Sequence, residues 1–264
     1  MAKPSILIVP GSFARPGLYD NIIEPIADKG YEIRGLHCPT VGLKAGPRAK
    51  TLPTMYDDAA YIAKEIAILA DEGKDVILMA HSYGGVPSTQ CTKGVTKMER
   101  QRQGKKGGLI RIAYMTCLVP PVGGSAGSVL TEIPDENRID FTVDEEGWLH
   151  WADPPAAAAL VISDLPDQEE RMALAEKFDI HSSISFGNEL THPGYKDVAV
   201  SYLLCQDDLI IPPKAQQAGI DIIEKESGRK VDVTYLRAGH CPTVMKPQSV
   251  IDWLIDAVEK SEDL

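Results

Sequence analysis

Ser82, Asp208 and His240 are the side chains in this sequence whose types could do nucleophilic chemistry together. A serine hydroxyl attacks poorly until a base takes its proton, and an imidazole serves best when a buried carboxylate holds its tautomer. Ser82 lies in Val76-Ile77-Leu78-Met79-Ala80-His81-Ser82-Tyr83-Gly84-Gly85-Val86, an apolar run that meets a serine with small residues two places to either side. This is the pattern of a buried strand turning sharply into a helix, a strained turn that lifts the serine Oγ clear of the sheet. The G-x-S-x-G pattern is met here as A-x-S-x-G, with Ala80 at its first position. So short a motif also fits a tight turn around a buried serine, and only its context can decide.

The context is a chain of alternating strands and helices. Apolar runs or alternations predict strands at 6–9, 31–36, 76–81, 109–118, 198–205 and 230–236. Helical spacing predicts helices at 18–27, 56–71, 213–227 and 247–260, and one that starts at Ser82 and runs out near 92–103. Such alternation calls for right-handed crossovers and a mostly parallel sheet covered on both faces, an α/β fold. In a parallel sheet the carboxyl ends of the strands share one edge. Asp208 follows one strand and His240 the next, so both are expected at the edge that carries Ser82. Asp207 stands beside Asp208 as a second candidate acid, and no carboxylate follows the strand at 109–118 before Glu132. Donors for a developing oxyanion are expected from the backbone N–H of Tyr83 and from Ser12 or Phe13, in the loop after the first strand.

From 121 to 196 the alternation stops, which divides the chain into core segments 1–120 and 197–264 around an insertion. The insertion carries a hairpin pattern (140–143, turn 144–147, 148–151), an alanine-rich segment after Asp153-Pro154-Pro155, and a helix near 166–178. Trp148 and Trp151 sit in that hairpin and His181 and His192 near the end of the insertion. A lobe of this kind suits a lid over an apolar substrate, with Trp148, Trp151 and His181 as candidate lining residues. Packing of the lobe's own small core is the competing role for the two tryptophans. His81, beside the nucleophile, is expected to point away and pack.

With 264 residues, 44% apolar and 25% charged, the chain is an ordinary globular one that can bury a substantial core. A net charge of −11 argues against nucleic-acid or anionic-membrane partners. No apolar window approaches the length of a membrane span, and Met1-Ala2-Lys3-Pro4 leads straight into the first strand rather than into a signal peptide. The five cysteines form no C-x-x-C pair, which reads as reduced thiols in a cytoplasmic protein. No residue cluster has metal-ligand spacing, and no glycine-rich nucleotide-binding motif occurs. No metal or cofactor is expected, and the expected partner is a small-molecule substrate, with a homodimer left open.

Val9-Pro10-Gly11-Ser12-Phe13, Ala80-His81-Ser82-Tyr83-Gly84-Gly85, Asp208-Leu209-Ile210-Ile211-Pro212 and Gly239-His240 together resemble the α/β hydrolases over nearly the whole chain. The likeness is greatest to the compact branch of methylesterases and hydroxynitrile lyases and their microbial relatives. It implies the α/β-hydrolase fold, a Ser-His-Asp triad, an inserted cap and no cofactor. The run after Asp208 resembles the D-x-x-[IV]-P segment that follows the acid in this superfamily, which favours Asp208 over Asp207. Gly11 replaces the threonine, and Cys241 the lysine, that hydroxynitrile lyases of this branch use to handle cyanide, and Pro10 replaces the usual histidine before Gly11. The expected activity is therefore hydrolysis of a carboxylic ester or lactone of an apolar metabolite. A lyase or cyclase step with His240 as general base is the alternative, and a ligand-binding protein of hydrolase fold a third.

Overall fold

In a computed structural model the described residues are 3–131 and 133–261, so Met1, Ala2 and Glu132 lie outside them, as do residues 262–264. Among the described residues ten strands form two sheets: β1 (Ser5–Val9), β2 (Ile33–Gly35), β3 (Val41–Gly42), β4 (Asp75–His81), β5 (Gly108–Met115), β6 (Phe141–Val143), β7 (Trp148–Trp151), β8 (Ile180–Ser182), β9 (Ala199–Cys205) and β10 (Asp232–Leu236). Six of them make a sheet in the order β10-β9-β5-β4-β1-β2, with every neighbouring pair parallel. The unbroken apolar character of β1 and β4 follows from burial on both faces. Leu7, Val9 and Leu78 pack one way, against Ile62 and Ile66 of the helix Met55–Asp71 and Ile220 of the helix Pro213–Ser227. Ile6, Ile8 and Met79 pack the other way, against Ile22 of the helix Asp20–Asp28 and Val250 and Leu254 of the helix Pro247–Glu259. Among the described residues no helix is long and apolar enough to cross a membrane.

The second sheet, in the order β3-β8-β7-β6, is antiparallel and belongs largely to the insertion. Its β3 lies between the predicted strand at 31–36 and the predicted helix at 56–71, so this sheet is completed by a strand from the first half of the chain. Gly42 in β3 allows this close pairing, since a Cβ there would stand 2.7 Å from the Trp148 ring. The helix expected to run on from Ser82 is broken into Gly85–Gln90 and Lys97–Arg102. The physical reason is Gly94, left-handed at φ +81, followed by Thr96, whose hydroxyl accepts from the Glu99 N–H and starts a new helix.

The helix Met55–Asp71 begins with a capping box, Thr54 accepting from the Asp57 N–H and Asp57 from the Thr54 N–H. One turn in, Asp58 is fully buried and accepts from the Thr40 N–H (2.9 Å), the Thr40 hydroxyl (2.6 Å) and the Tyr83 hydroxyl (3.2 Å). Burial pushes its pKa up to about 7, against the opposing pull of these hydrogen bonds. The folded state thus holds a proton that the unfolded chain releases near its ordinary carboxylate value, so the contribution of Asp58 to stability is greatest below that value and is lost as pH rises through about 7. Urea midpoints measured between pH 5 and 8 are expected to fall more steeply for the wild type than for Asp58→Asn. Equal slopes would contradict the assignment.

Candidate active site

Ser82 follows directly on β4 with φ +53, a left-handed conformation that a serine adopts only under constraint. The constraint is the close approach of the following turn to β1. A Cβ at Gly84 would stand 2.6 Å from the Pro10 carbonyl oxygen and 2.7 Å from that of Val9, so only glycine fits. The serine Oγ lies 3.0 Å from His240 Nε2, and His240 Nδ1 lies 2.8 Å from Asp208 Oδ2. The carboxylate can only accept, so Nδ1 carries the proton and Nε2 is free to take the serine's. Asp208 Oδ2 also accepts from the Thr116 hydroxyl, and its Oδ1 accepts from the N–H groups of Ile210 (2.8 Å) and Ile211 (2.9 Å). Asp207 is exposed and makes no contact with the histidine, so the geometry selects Asp208.

His81 does pack beneath the site, but it does more than fill space. Its Nε2 faces the His240 carbonyl oxygen at 2.8 Å and must therefore donate, which leaves Nδ1 to accept from the Tyr19 hydroxyl at 2.6 Å. That hydroxyl in turn accepts from the Gly11 N–H at 3.1 Å. A single directed chain thereby ties the loop after β1 to the loop that carries His240. Burial lowers the His81 pKa to about 3, which keeps the ring neutral and this tautomer in place. From the inserted lobe, Asp164 Oδ2 accepts the Gly239 N–H at 2.5 Å, a second hold on the histidine loop.

Above Ser82 lies a cavity of about 330 Å³. Phe13, Phe141, Trp151, Phe178 and Phe186 give it aromatic walls, and Ser12, Ser82 and His240 reach it from the sheet edge. Among its described lining residues no Asp or Glu occurs, and the guanidinium of Arg138 is taken up by the Ile133 and Thr131 carbonyls and by Asp135. Trp151 is on the wall. Trp148 is not: at 1% exposure it is enclosed against Gly42 and Ile180 in the lobe's own sheet. His181 is likewise behind the wall, its Nδ1 accepting from the Phe13 N–H at 3.3 Å. This contact also takes Phe13 out of the set of free donors, leaving Ser12 and Tyr83. His192 is bonded to Asp197 and Thr92, away from the cavity. The supporting residues Tyr19, Thr116 and Asp164 carried no motif, and of these only Thr116, which directly follows β5, had a position that could have drawn notice.

A model of the alpha/beta hydrolase family matches residues 6–253, and the chain belongs to that family. It is similar to the "Probable hydrolase R7" of Phoma sp., at 32% identity over 96% of this chain and 97% of the other. Among solved structures it resembles a pyrethroid hydrolase from Sphingobium faniae JZ-2, with TM-score 0.73 and 21% identity over 99% of each chain. It also resembles polyneuridine aldehyde esterase, with TM-score 0.73 and 15% identity over 97% of this chain and 99% of that one. At these identities the structural likeness speaks for the fold.

Tyr19→Phe would strand the buried Gly11 N–H and the bare Nδ1 of His81. It is expected to lower unfolding stability in urea by about 1–3 kcal/mol. Unchanged stability would mean that the chain from Gly11 to His240 contributes nothing.

Proposed function

We propose that this protein is a serine hydrolase that cleaves a carboxylic ester or lactone of a small, uncharged, largely apolar molecule. The observation that carries this reading is the relay from Ser82 Oγ to His240 Nε2 at 3.0 Å and from His240 Nδ1 to Asp208 at 2.8 Å, opening on an apolar cavity. Ser82 Oγ attacks the acyl carbon while His240 takes its proton, and Asp208 stabilises the imidazolium that forms. The N–H groups of Ser12 and Tyr83 receive the oxyanion, Tyr83 lying in the first turn of a helix, where N–H groups lack intrahelical acceptors. Collapse of the intermediate expels the alkoxide, which takes the proton from His240. A water molecule, deprotonated by the same ring, then releases the acid and restores Ser82.

The substrate class follows from the wall. Its aromatic side chains favour apolar groups, and it offers no free side-chain cation among the described residues to balance a carboxylate or phosphate. The inserted lobe supplies Phe141, Trp151 and Phe178 to this wall and is read as a cap that selects the substrate. The names of the relatives, a probable hydrolase and a pyrethroid hydrolase, point the same way.

A fluorophosphonate is expected to label Ser82, and p-nitrophenyl esters of uncharged acids to be turned over. Ser82→Ala should abolish both, lowering kcat by about 10⁶-fold, and Asp208→Asn by about 10⁴-fold. Asp207→Asn should leave kcat unchanged. Wild-type protein that neither labels nor hydrolyses any short ester would overturn the reading. Native turnover retained in Ser82→Ala but lost in His240→Ala would replace it with base chemistry alone.

A further inference from the structure

Phe13 adopts φ +63, a region that bulky side chains enter only when their surroundings force them to. Both of its backbone groups are held from the inserted lobe. Its N–H donates to His181 Nδ1 at 3.3 Å, and its carbonyl accepts from the Asp179 N–H at 2.7 Å. The side chain of Asp179 extends the grip, with Oδ1 accepting from the Lys44 N–H at 2.9 Å and Oδ2 lying 2.5 Å from Arg15 Nε, two residues past Phe13. Ser12, the proposed oxyanion donor, immediately precedes this clamped residue. A short stretch of the lobe at and just before β8 therefore sets the path of the loop at its most strained point.

The histidine is suited to this hold in a way that an apolar ring is not. To accept from Phe13, Nδ1 must be bare, so Nε2 carries the proton and donates to Ser185 Oγ at 3.0 Å. The Ser185 hydroxyl in turn donates to the Ser182 carbonyl at 2.8 Å, so both ring nitrogens of His181 have an assigned role. Full burial lowers the His181 pKa to about 3, and a protonated ring could not accept from Phe13. The same ring stands edge-on to Tyr83, with centroids 4.7 Å apart, and against Phe13 at 5.3 Å. It thus touches the residue that provides the second oxyanion donor as well as the residue next to the first.

We infer that His181 is a positioning residue for the oxyanion hole, acting from the lobe through the Phe13 N–H to hold Ser12 and Tyr83 in place. The lobe would then complete the catalytic apparatus as well as cover it. This rests on the hydrolase reading above, because an oxyanion donor has a role only if an acyl group is attacked.

Two substitutions separate positioning from packing. His181→Phe keeps the ring but removes the acceptor, whereas His181→Asn gives up ring volume but places its Oδ1 near the position of Nδ1. His181→Phe is expected to lower kcat for a p-nitrophenyl ester by about 10- to 100-fold, part of the loss that follows removal of a whole oxyanion donor, with KM within about threefold. Hydrogen exchange of the Phe13 amide should quicken in the same variant. His181→Asn should restore kcat to within about fivefold of wild type and slow that exchange again. If His181→Phe does not fold, Ser185→Ala, which removes the partner fixing the Nε2 proton, should lower kcat about threefold at unchanged KM.

Wild-type kcat in His181→Phe, or in Ser185→Ala where that variant stands in, overturns the inference and leaves the hydrolase reading intact. An Asn variant more impaired than the Phe variant also overturns it, since packing would then be the role. Wild-type protein that fails to label at Ser82 and hydrolyses no ester sinks the hydrolase reading instead. The exchange rate of the Phe13 amide then decides by itself whether His181 holds the loop, and equal rates in wild type and His181→Phe would show that it does not.

Discussion

The structure turns on how closely the elbow after β4 can approach the end of β1. Gly84 rests against the carbonyls of Val9 and Pro10, and that contact holds Ser82 in its left-handed conformation. Among the described residues, the non-glycine positions with positive φ are Phe13, Ser82 and Thr116, each after the carboxyl end of one of three neighbouring strands, β1, β4 and β5. Strain of this kind persists only where the surroundings over-determine it. Here each site is held separately. Phe13 is clamped by the lobe, Ser82 by the glycine contact, and Thr116 by its N–H to the Leu203 carbonyl at 3.0 Å and its hydroxyl to Asp208.

Around the cavity three buried histidines have different roles because their ring nitrogens meet different partners. His240 has a carboxylate at Nδ1 and a hydroxyl at Nε2. His81 has a carbonyl at Nε2 and a phenol at Nδ1, and His181 a serine hydroxyl and a backbone N–H. Neither of these two has a carboxylate in hydrogen-bond contact, and burial keeps both neutral. Neutral rings with a fixed tautomer make rigid two-ended connectors. His81 joins the loops of Gly11 and His240, and His181 joins the loop of Phe13 to the lobe.

The core was legible because its signals are local. Continuous apolar runs identify strands buried on both faces, the small residues around Ser82 identify the elbow, and one sheet edge then gathers Ser82, Asp208 and His240 however far apart they lie along the chain. The lobe was legible only in part: its hairpin and the helix near 166–178 could be read, but not the sheet that the hairpin joins. Its strands are short, one of them is borrowed from residues 41–42, and side chains as alike as Trp148 and Trp151 end in different places. Trp148 is drawn into the small sheet because Gly42 leaves room for its ring, whereas Trp151 pairs with Phe141 on the cavity side. No spacing within 121–196 encodes a partner that comes from residue 42.

The amino-acid sequence by itself determined the α/β architecture and pointed to Ser82, His240 and Asp208 as one group at a sheet edge, because strand period and strand ends are properties of short segments. Tertiary structure alone decided that the Phe13 amide is committed to His181. It also decided that His81 and Tyr19 join the loops of Gly11 and His240. Those outcomes depend on which way a backbone group points after the chain has closed on itself. The decisive contacts, Tyr19 to His81, His81 to His240 and Phe13 to His181, join residues 62, 159 and 168 apart in sequence, where no local pattern reaches.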